Sequence, residues 1–259
     1  MASGSSVSAT LSAAERRRLA PLACALARMA ASDAPRLEVV AGSIPRGVRA
    51  GLLAGTFNPL TRAHAALAVA GHRAGCERVV LAMAPTSLDK ERLERAHAVD
   101  RLDWARTWAR RHTWAAVAVS SRVLLVDMAE ALGRLTGGQV MLLLGTDKAA
   151  QLIEPRYYED LEAAIARLGE AASLLVADRL GHPSARLPLA SSPLRTPAWT
   201  RGRSSTEVRE AARRREPVED LVPSAIARAI ARTHAYDPDP HPYLARARAL
   251  DALIPRDGC

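Results

Sequence analysis

The sequence predicts an α/β chain built on a doubly wound parallel sheet, with a helical extension before it and a helical segment after it. Three observations carry that prediction. Short apolar runs alternate with longer helical patterns along most of the chain, the rhythm of a parallel sheet covered by helices. The chain has 259 residues, 49% of them hydrophobic, enough to bury a full core and roughly 75% of the unfolded surface. One apolar run also passes directly through a tight Gly-Thr-Phe-Asn-Pro turn into a strong helix former, the joint between a buried strand and a helix.

Residues 1–46 read as an N-terminal extension: a Ser-rich polar lead, an Ala-, Leu- and Arg-rich helix over about 12–31, and a short apolar piece, Leu37-Glu38-Val39-Val40, suited to an added edge strand. The extension carries no recognisable chemistry and is expected to cover the sheet or to join two copies as a homo-oligomer. The main domain, 47–236, opens on Ala50-Gly51-Leu52-Leu53-Ala54 as its first buried strand, followed by a helix around 65–70. A second strand over 78–84, a helix over 97–111, a third strand over 114–119 and a helix over 125–135 come next. Residues 139–144, Gln-Val-Met-Leu-Leu-Leu, are the cleanest buried strand and end in Gly145-Thr146-Asp147-Lys148. A helix containing 161–168 leads to a fifth strand over 173–177, and the Pro-rich stretch 181–200 is too irregular to assign. Helices then start at Ser204 and after Pro223, and 237–259 form a C-terminal tail. In a doubly wound order of the 3-2-1-4-5 kind the first and fourth strands are neighbours, so the loops after them open into one crevice.

The net charge is +9, and Lys90 and Lys148 are the only lysines. Because the arginine excess runs through every segment, it reads as a general attraction for polyphosphates rather than as a specific nucleic-acid surface. Cys24, Cys76 and Cys259 show neither metal-ligand spacing nor an even disulfide framework, which fits a reducing cytoplasm. No apolar run approaches the roughly 20 residues of a membrane span, and the first residues lack a signal-peptide core.

The chemistry gathers at strand-to-helix joints. In residues 55–64, Gly55 lets a ligand approach the backbone, Pro59 stiffens the turn, and Thr61 is the candidate N-cap of a helix whose first N–H groups face the mouth of the strand. His64 lies on the same face of that first turn, beside the positive end of the helix dipole, where an imidazole can donate to a phosphate oxygen. On spacing alone, a capped helix with a surface histidine fits equally well. Gly145 and Asp147 follow the cleanest strand, but such residues cap many turns. Ser204 followed by Glu207 is a capping box.

Together these stretches resemble a known family. Gly55, Phe57, Asn58, Pro59, Thr61 and His64 match every defined position of the signature Gly-x-Phe-(Asp or Asn)-Pro-x-(His or Thr)-x-x-His of the nucleotidylyltransferase superfamily, with Thr56 a common filler and Ala63 where Gly is frequent. That superfamily includes the nicotinate and nicotinamide mononucleotide adenylyltransferases and pantetheine-phosphate adenylyltransferase. The run from Arg203 to Arg209, Arg-Ser-Ser-Thr-Glu-Val-Arg, resembles its second signature, and Leu221-Val222-Pro223 through Tyr236 resembles the ending of the pyridine-nucleotide branch.

The resemblance implies a Rossmann-like fold and an enzyme that condenses ATP with nicotinamide or nicotinate mononucleotide, releasing pyrophosphate. It assigns catalysis to His64, Arg209 and Thr61. It assigns nucleotide binding to Gly55, Thr56, Phe57, Asn58, Gly145, Asp147, Ser204, Ser205 and Thr206, and gives Lys90 and Arg101 as candidates for the acceptor phosphate. Mg2+ is expected to ride on ATP oxygens, with no protein metal site. The aromatic residue expected after the third strand is missing, since Ser120-Ser121-Arg122 stands there, and Tyr157 or Tyr158 replaces a common Trp. A sister transferase acting on phosphopantetheine or with CTP, and a non-catalytic nucleotide-binding module, are the alternatives.

Overall fold

The computed structural model describes residues 11–84, 96–180 and 187–255. Along the chain run α1 (Ala13–Ala30), β1 (Leu37–Ala41), β2 (Ala50–Ala54), α2 (Arg62–Arg73), β3 (Arg78–Met83), α3 (Ala98–Ala109), β4 (Ala115–Ser120) and α4 (Leu125–Thr136). They are followed by β5 (Val140–Gly145), α5 (Thr146–Gln151), α6 (Leu161–Ala171), β6 (Ser173–Ala177), β7 (Ser191–Pro193), α7 (Ser205–Arg213), α8 (Ser224–Thr233) and α9 (His241–Asp251). The strands form one sheet in the order β1-β4-β3-β2-β5-β6-β7. Its centre, β4-β3-β2-β5-β6, is parallel throughout and has the expected doubly wound order. β1 adds to one edge antiparallel to β4, as expected of the apolar piece in the extension.

The central strands read as continuous apolar runs because both faces of the sheet are covered. Leu53, Leu81, Val117 and Leu143 point to one face, under α1, α2, α3, α8 and α9. Their neighbours Leu52, Val80, Ala116 and Leu142 point to the other, under α4 and α6. The stretch 181–200, unassigned from sequence, contains β7, which pairs parallel to β6. Its residues Ser191, Ser192 and Pro193 are all exposed, so no apolar pattern marked it, and proline is tolerated because the strand lies at an edge.

α1 covers the sheet. Its buried stripe of Leu19, Leu22, Leu26 and Met29 recurs at helical spacing and packs against α3, β1 and β4. Ion pairs fix the extension and the C-terminal helix to α3. Arg18 Nη1 lies 3.1 Å from Asp103, Arg246 Nη2 lies 2.8 Å from Asp100, and a second Arg246 nitrogen reaches Glu15 at 2.9 Å. The Tyr243 hydroxyl donates to Asp100 as well. Asp100 and Asp103 are buried, and a buried carboxylate persists only when paired and hydrogen-bonded in this way. Among the described residues no helix is long and apolar enough to cross a membrane.

Candidate active site

The site is built on the loop from Gly55 to Leu60, between β2 and α2. Phe57 adopts φ +44°, a left-handed backbone that costs a bulky residue about 1–3 kcal/mol. Surrounding contacts hold it there. The Phe57 ring is buried in the core and stands edge-on to His64 at 5.4 Å between centroids. Gly55 leaves room for that ring, since a Cβ at this residue would meet it at 3.1 Å and push it by a few tenths of an ångström. Arg101 donates from Nη1 to the Thr56 carbonyl at 2.5 Å and from Nε to the Ala96 carbonyl at 2.8 Å.

Asn58 turns its side chain inward. Its Oδ1 accepts from the Ala96 N–H at 3.0 Å and from the Tyr236 hydroxyl at 2.8 Å, so one amide joins the loop to the start of α3 and to the segment after α8. Burial pushes the Tyr236 phenol far above its ordinary ionisation range and keeps it a donor.

Thr61 caps α2, and His64 completes the box. The Thr61 hydroxyl accepts the His64 N–H at 3.2 Å, and the Thr61 N–H donates to His64 Nδ1 at 3.0 Å. Because Nδ1 accepts that N–H, the proton of the neutral imidazole resides on Nε2. The histidine pKa is pushed down to about 4, first by burial, then by the positive charge of Arg179 and, less strongly, of Lys148, against an opposing contribution from Asp147. At neutral pH His64 is therefore an uncharged donor.

The second signature folds onto the first. Ser204 caps α7 by accepting the Glu207 N–H at 3.1 Å. The Ser205 hydroxyl donates to the Pro59 carbonyl at 2.9 Å, and Arg209 Nη1 donates to the Asn58 carbonyl at 3.0 Å while Nη2 donates to Thr206 Oγ1 at 3.1 Å. Residues 146 and 151 positions apart in sequence are thereby latched together. The loop that opens into α2 and the first turn of α7 are thus held side by side, and helix N-termini attract anions.

Gly145 ends β5 and caps α5. A Cβ there would collide with Asp147 and come within 2.8 Å of Arg179 Cγ. Arg179, just past the end of β6, was not singled out from sequence. Its Nε lies 3.7 Å from Asp147 Oδ1, its N–H donates to Thr146 Oγ1 at 3.0 Å, and Nη1 donates to the Thr200 carbonyl at 3.3 Å. The available signal was its place at the carboxyl end of a parallel strand, where ligands of such sheets bind.

Of the two residues expected to hold an acceptor phosphate, Lys90 lies outside the described residues. Arg101, buried and bonded to the loop carbonyls, is a support of the loop in this structure. Arg122, where an aromatic residue was expected nearby, donates to the carbonyls of Ser32 and Asp33, and Ser121 donates to Ala34 at 2.7 Å. The end of β4 is thus committed to holding the extension. Trp104 and Trp108 are buried in the core. Among the described residues no group of three or more His, Cys, Asp or Glu is arranged to hold a metal ion.

The cytidylyltransferase-like family model matches residues 52–211, more than half of the chain and the whole span from β2 into α7. The chain belongs to the cytidylyltransferase-like family. Both signatures of this nucleotidylyltransferase lie within the matched span, and α1, β1, α8 and α9 lie outside it. No curated protein matches the chain. Among solved structures, it is similar to Plasmodium falciparum nicotinic acid mononucleotide adenylyltransferase complexed with APC and to the same enzyme complexed with NaAD. Each is 11% identical with a TM-score of 0.56, over 73% of this chain and 97% of that one. At that identity the likeness is one of fold.

Proposed function

We propose that this nucleotidylyltransferase transfers the adenylyl group of ATP to nicotinamide or nicotinate mononucleotide. A phosphate oxygen of the mononucleotide bonds to the α-phosphorus, the bond from that phosphorus to the α–β bridging oxygen breaks, and pyrophosphate leaves with the electron pair. The acceptor phosphate is already anionic at neutral pH, so no base is needed. The protein has to align the two phosphates and stabilise charge on the departing group.

The observation that carries this reading is the latch of α7 to the β2–α2 loop through Ser205 and Arg209. It ties together the elements that carry His64 and Arg209 and the starts of two helices, a donor set suited to a triphosphate and poorly suited to a neutral ligand. Thr61 orients His64, while Gly55, Thr56 and Phe57 offer main chain. Ser204, Ser205 and Thr206 begin α7, and Gly145 and Asp147 are assigned to the ribose. Magnesium would arrive with the ATP rather than on a protein site, and would supply charge neutralisation of the polyphosphate. The pyridine nucleotide is favoured as acceptor by the segment ending in Tyr236, which is bonded into the loop itself.

Turnover of ATP with a panel of acceptors, followed by pyrophosphate release, tests the reading. Nicotinamide or nicotinate mononucleotide should exceed phosphopantetheine and simple phosphate monoesters. Equal or better turnover with phosphopantetheine, or with CTP in place of ATP, would assign the chain to a sister activity.

A further inference from the structure

A cavity of about 750 Å³ lies across the outer face of α2, on the side away from the sheet and separate from the groups of the candidate active site. Its floor is Ala65, Ala66 and Val69. One wall is the end of α3 with His112, and the other is the segment after β7 with Arg195 and Trp199. Pockets of roughly 300–1,000 Å³ are of the size that holds small molecules.

Its charge is one-sided. Arg62, Arg73 and Arg195 line it, and among the described residues no acidic one does. Asp220 approaches Arg62 at 3.6 Å but is itself 95% exposed, so it neutralises that guanidinium only weakly. Trp199 is 49% exposed, unusual for an indole, and the Arg62 guanidinium lies 5.4 Å from its ring centroid. Guanidinium forks match phosphate oxygens, and an exposed indole beside an apolar floor offers a face for a flat ring.

We propose that this cavity is a second binding site, for a nucleoside phosphate, and that its occupancy regulates the first. The aromatic base stacks on Trp199 over the alanine floor, and the phosphates lie between Arg73 and Arg195. Both ends of the cavity touch supports of the active site. Arg62 directly follows Thr61, the residue that orients His64, and its N–H is held by the Leu221 carbonyl at 2.8 Å. Trp199 directly precedes Thr200, whose carbonyl accepts from Arg179. A ligand that moves Arg62 or Trp199 therefore shifts groups on two sides of the nucleotide pocket.

The test is calorimetric titration of the full chain with ADP, compared with the charge-reversed double variant Arg73→Glu/Arg195→Glu. Both positions are exposed and outside the proposed machinery. The wild-type chain should bind one more ADP than the variant, and Trp199→Ala should weaken that extra site by about tenfold, the loss of one stacking contact. Basal turnover of the double variant should match the parent, while the change in turnover that added ADP produces beyond competition with ATP should disappear. The reading concerns the difference between the two proteins, so it stands or falls whether or not the active site itself takes ADP. Equal stoichiometry in wild type and variant, or binding of a polyglutamate peptide with no binding of ADP at this site, would overturn it.

Discussion

Replacing His64 separates two roles that the structure gives one side chain. In His64→Ala the N–H of the buried Thr61 loses its acceptor at 3.0 Å. An unsatisfied buried donor costs about 1–3 kcal/mol. For a protein of this size that lowers the melting temperature by about 2–4 °C per kcal/mol. The same substitution removes the Nε2–H donor. If that donor acts mainly on charge developing as pyrophosphate leaves, kcat falls by roughly 100–1,000-fold while ATP affinity changes far less. His64→Glu distinguishes the roles. A glutamate at this helix position accepts the N-cap N–H in the ordinary capping box, so stability should recover. Activity should not, because an anion then stands where phosphate belongs. Melting curves, ATP titrations and initial rates on the three proteins suffice. A His64→Ala enzyme with parental kcat would refute the catalytic assignment, and a His64→Glu protein less stable than His64→Ala would refute the cap.

The pH dependence of stability follows from the same residue. With a folded-state pKa of about 4 against about 6.5 unfolded, only the unfolded chain takes up the proton as pH falls through that window. His64 thus lowers stability progressively between pH 6.5 and 4, by at most about 3 kcal/mol, and His64→Gln should flatten that part of the pH profile; identical profiles would argue against a buried neutral imidazole. Gly145→Ala should lower stability by about 1–3 kcal/mol, since the Asp147 carboxylate can swing away but the Arg179 stem is met at Cγ, between its bonded N–H and Nη1. It should raise the KM for ATP roughly tenfold or more as both groups are displaced, the loss of one bond to a charged group being about 1.5–3 kcal/mol; an unchanged KM would remove Asp147 and Arg179 from the site. Tyr236→Phe deletes the 2.8 Å bond to Asn58 and should lower stability by about 1 kcal/mol in denaturant titration. No shift in midpoint would show that the Ala96 N–H alone holds that amide.

What the sequence revealed depended on local signals. The central strands were legible because burial on both faces makes them uniformly apolar, and Thr61 and Ser204 announced their helices by capping chemistry that needs only a few adjacent residues. The order of the strands followed from the doubly wound rule. β7 was invisible, since a three-residue exposed edge strand has no hydrophobic period. The packing of α9 was equally hidden, because it contributes only Tyr243 and Leu250 to the buried set and is otherwise held by Arg246 on Asp100. In the site, the motif residues identified the loop but not which of them face outward. Asn58 and Arg101 are polar residues turned inward, bonded to backbone groups distant in sequence, and no spacing pattern distinguishes such a support from a ligand contact. Arg179 lay beyond a fifth strand with no motif around it.

The position of isotope from labelled ATP addresses the proposed chemistry most directly. With ATP labelled at the α-phosphorus and nicotinate or nicotinamide mononucleotide as acceptor, the label should appear in a dinucleotide product, and label at the γ-phosphorus should appear only in pyrophosphate. Both signals should fall together in His64→Ala. Label from the γ-position in the acceptor, or in free phosphate with none of the α-label transferred, would contradict adenylyl transfer at this site.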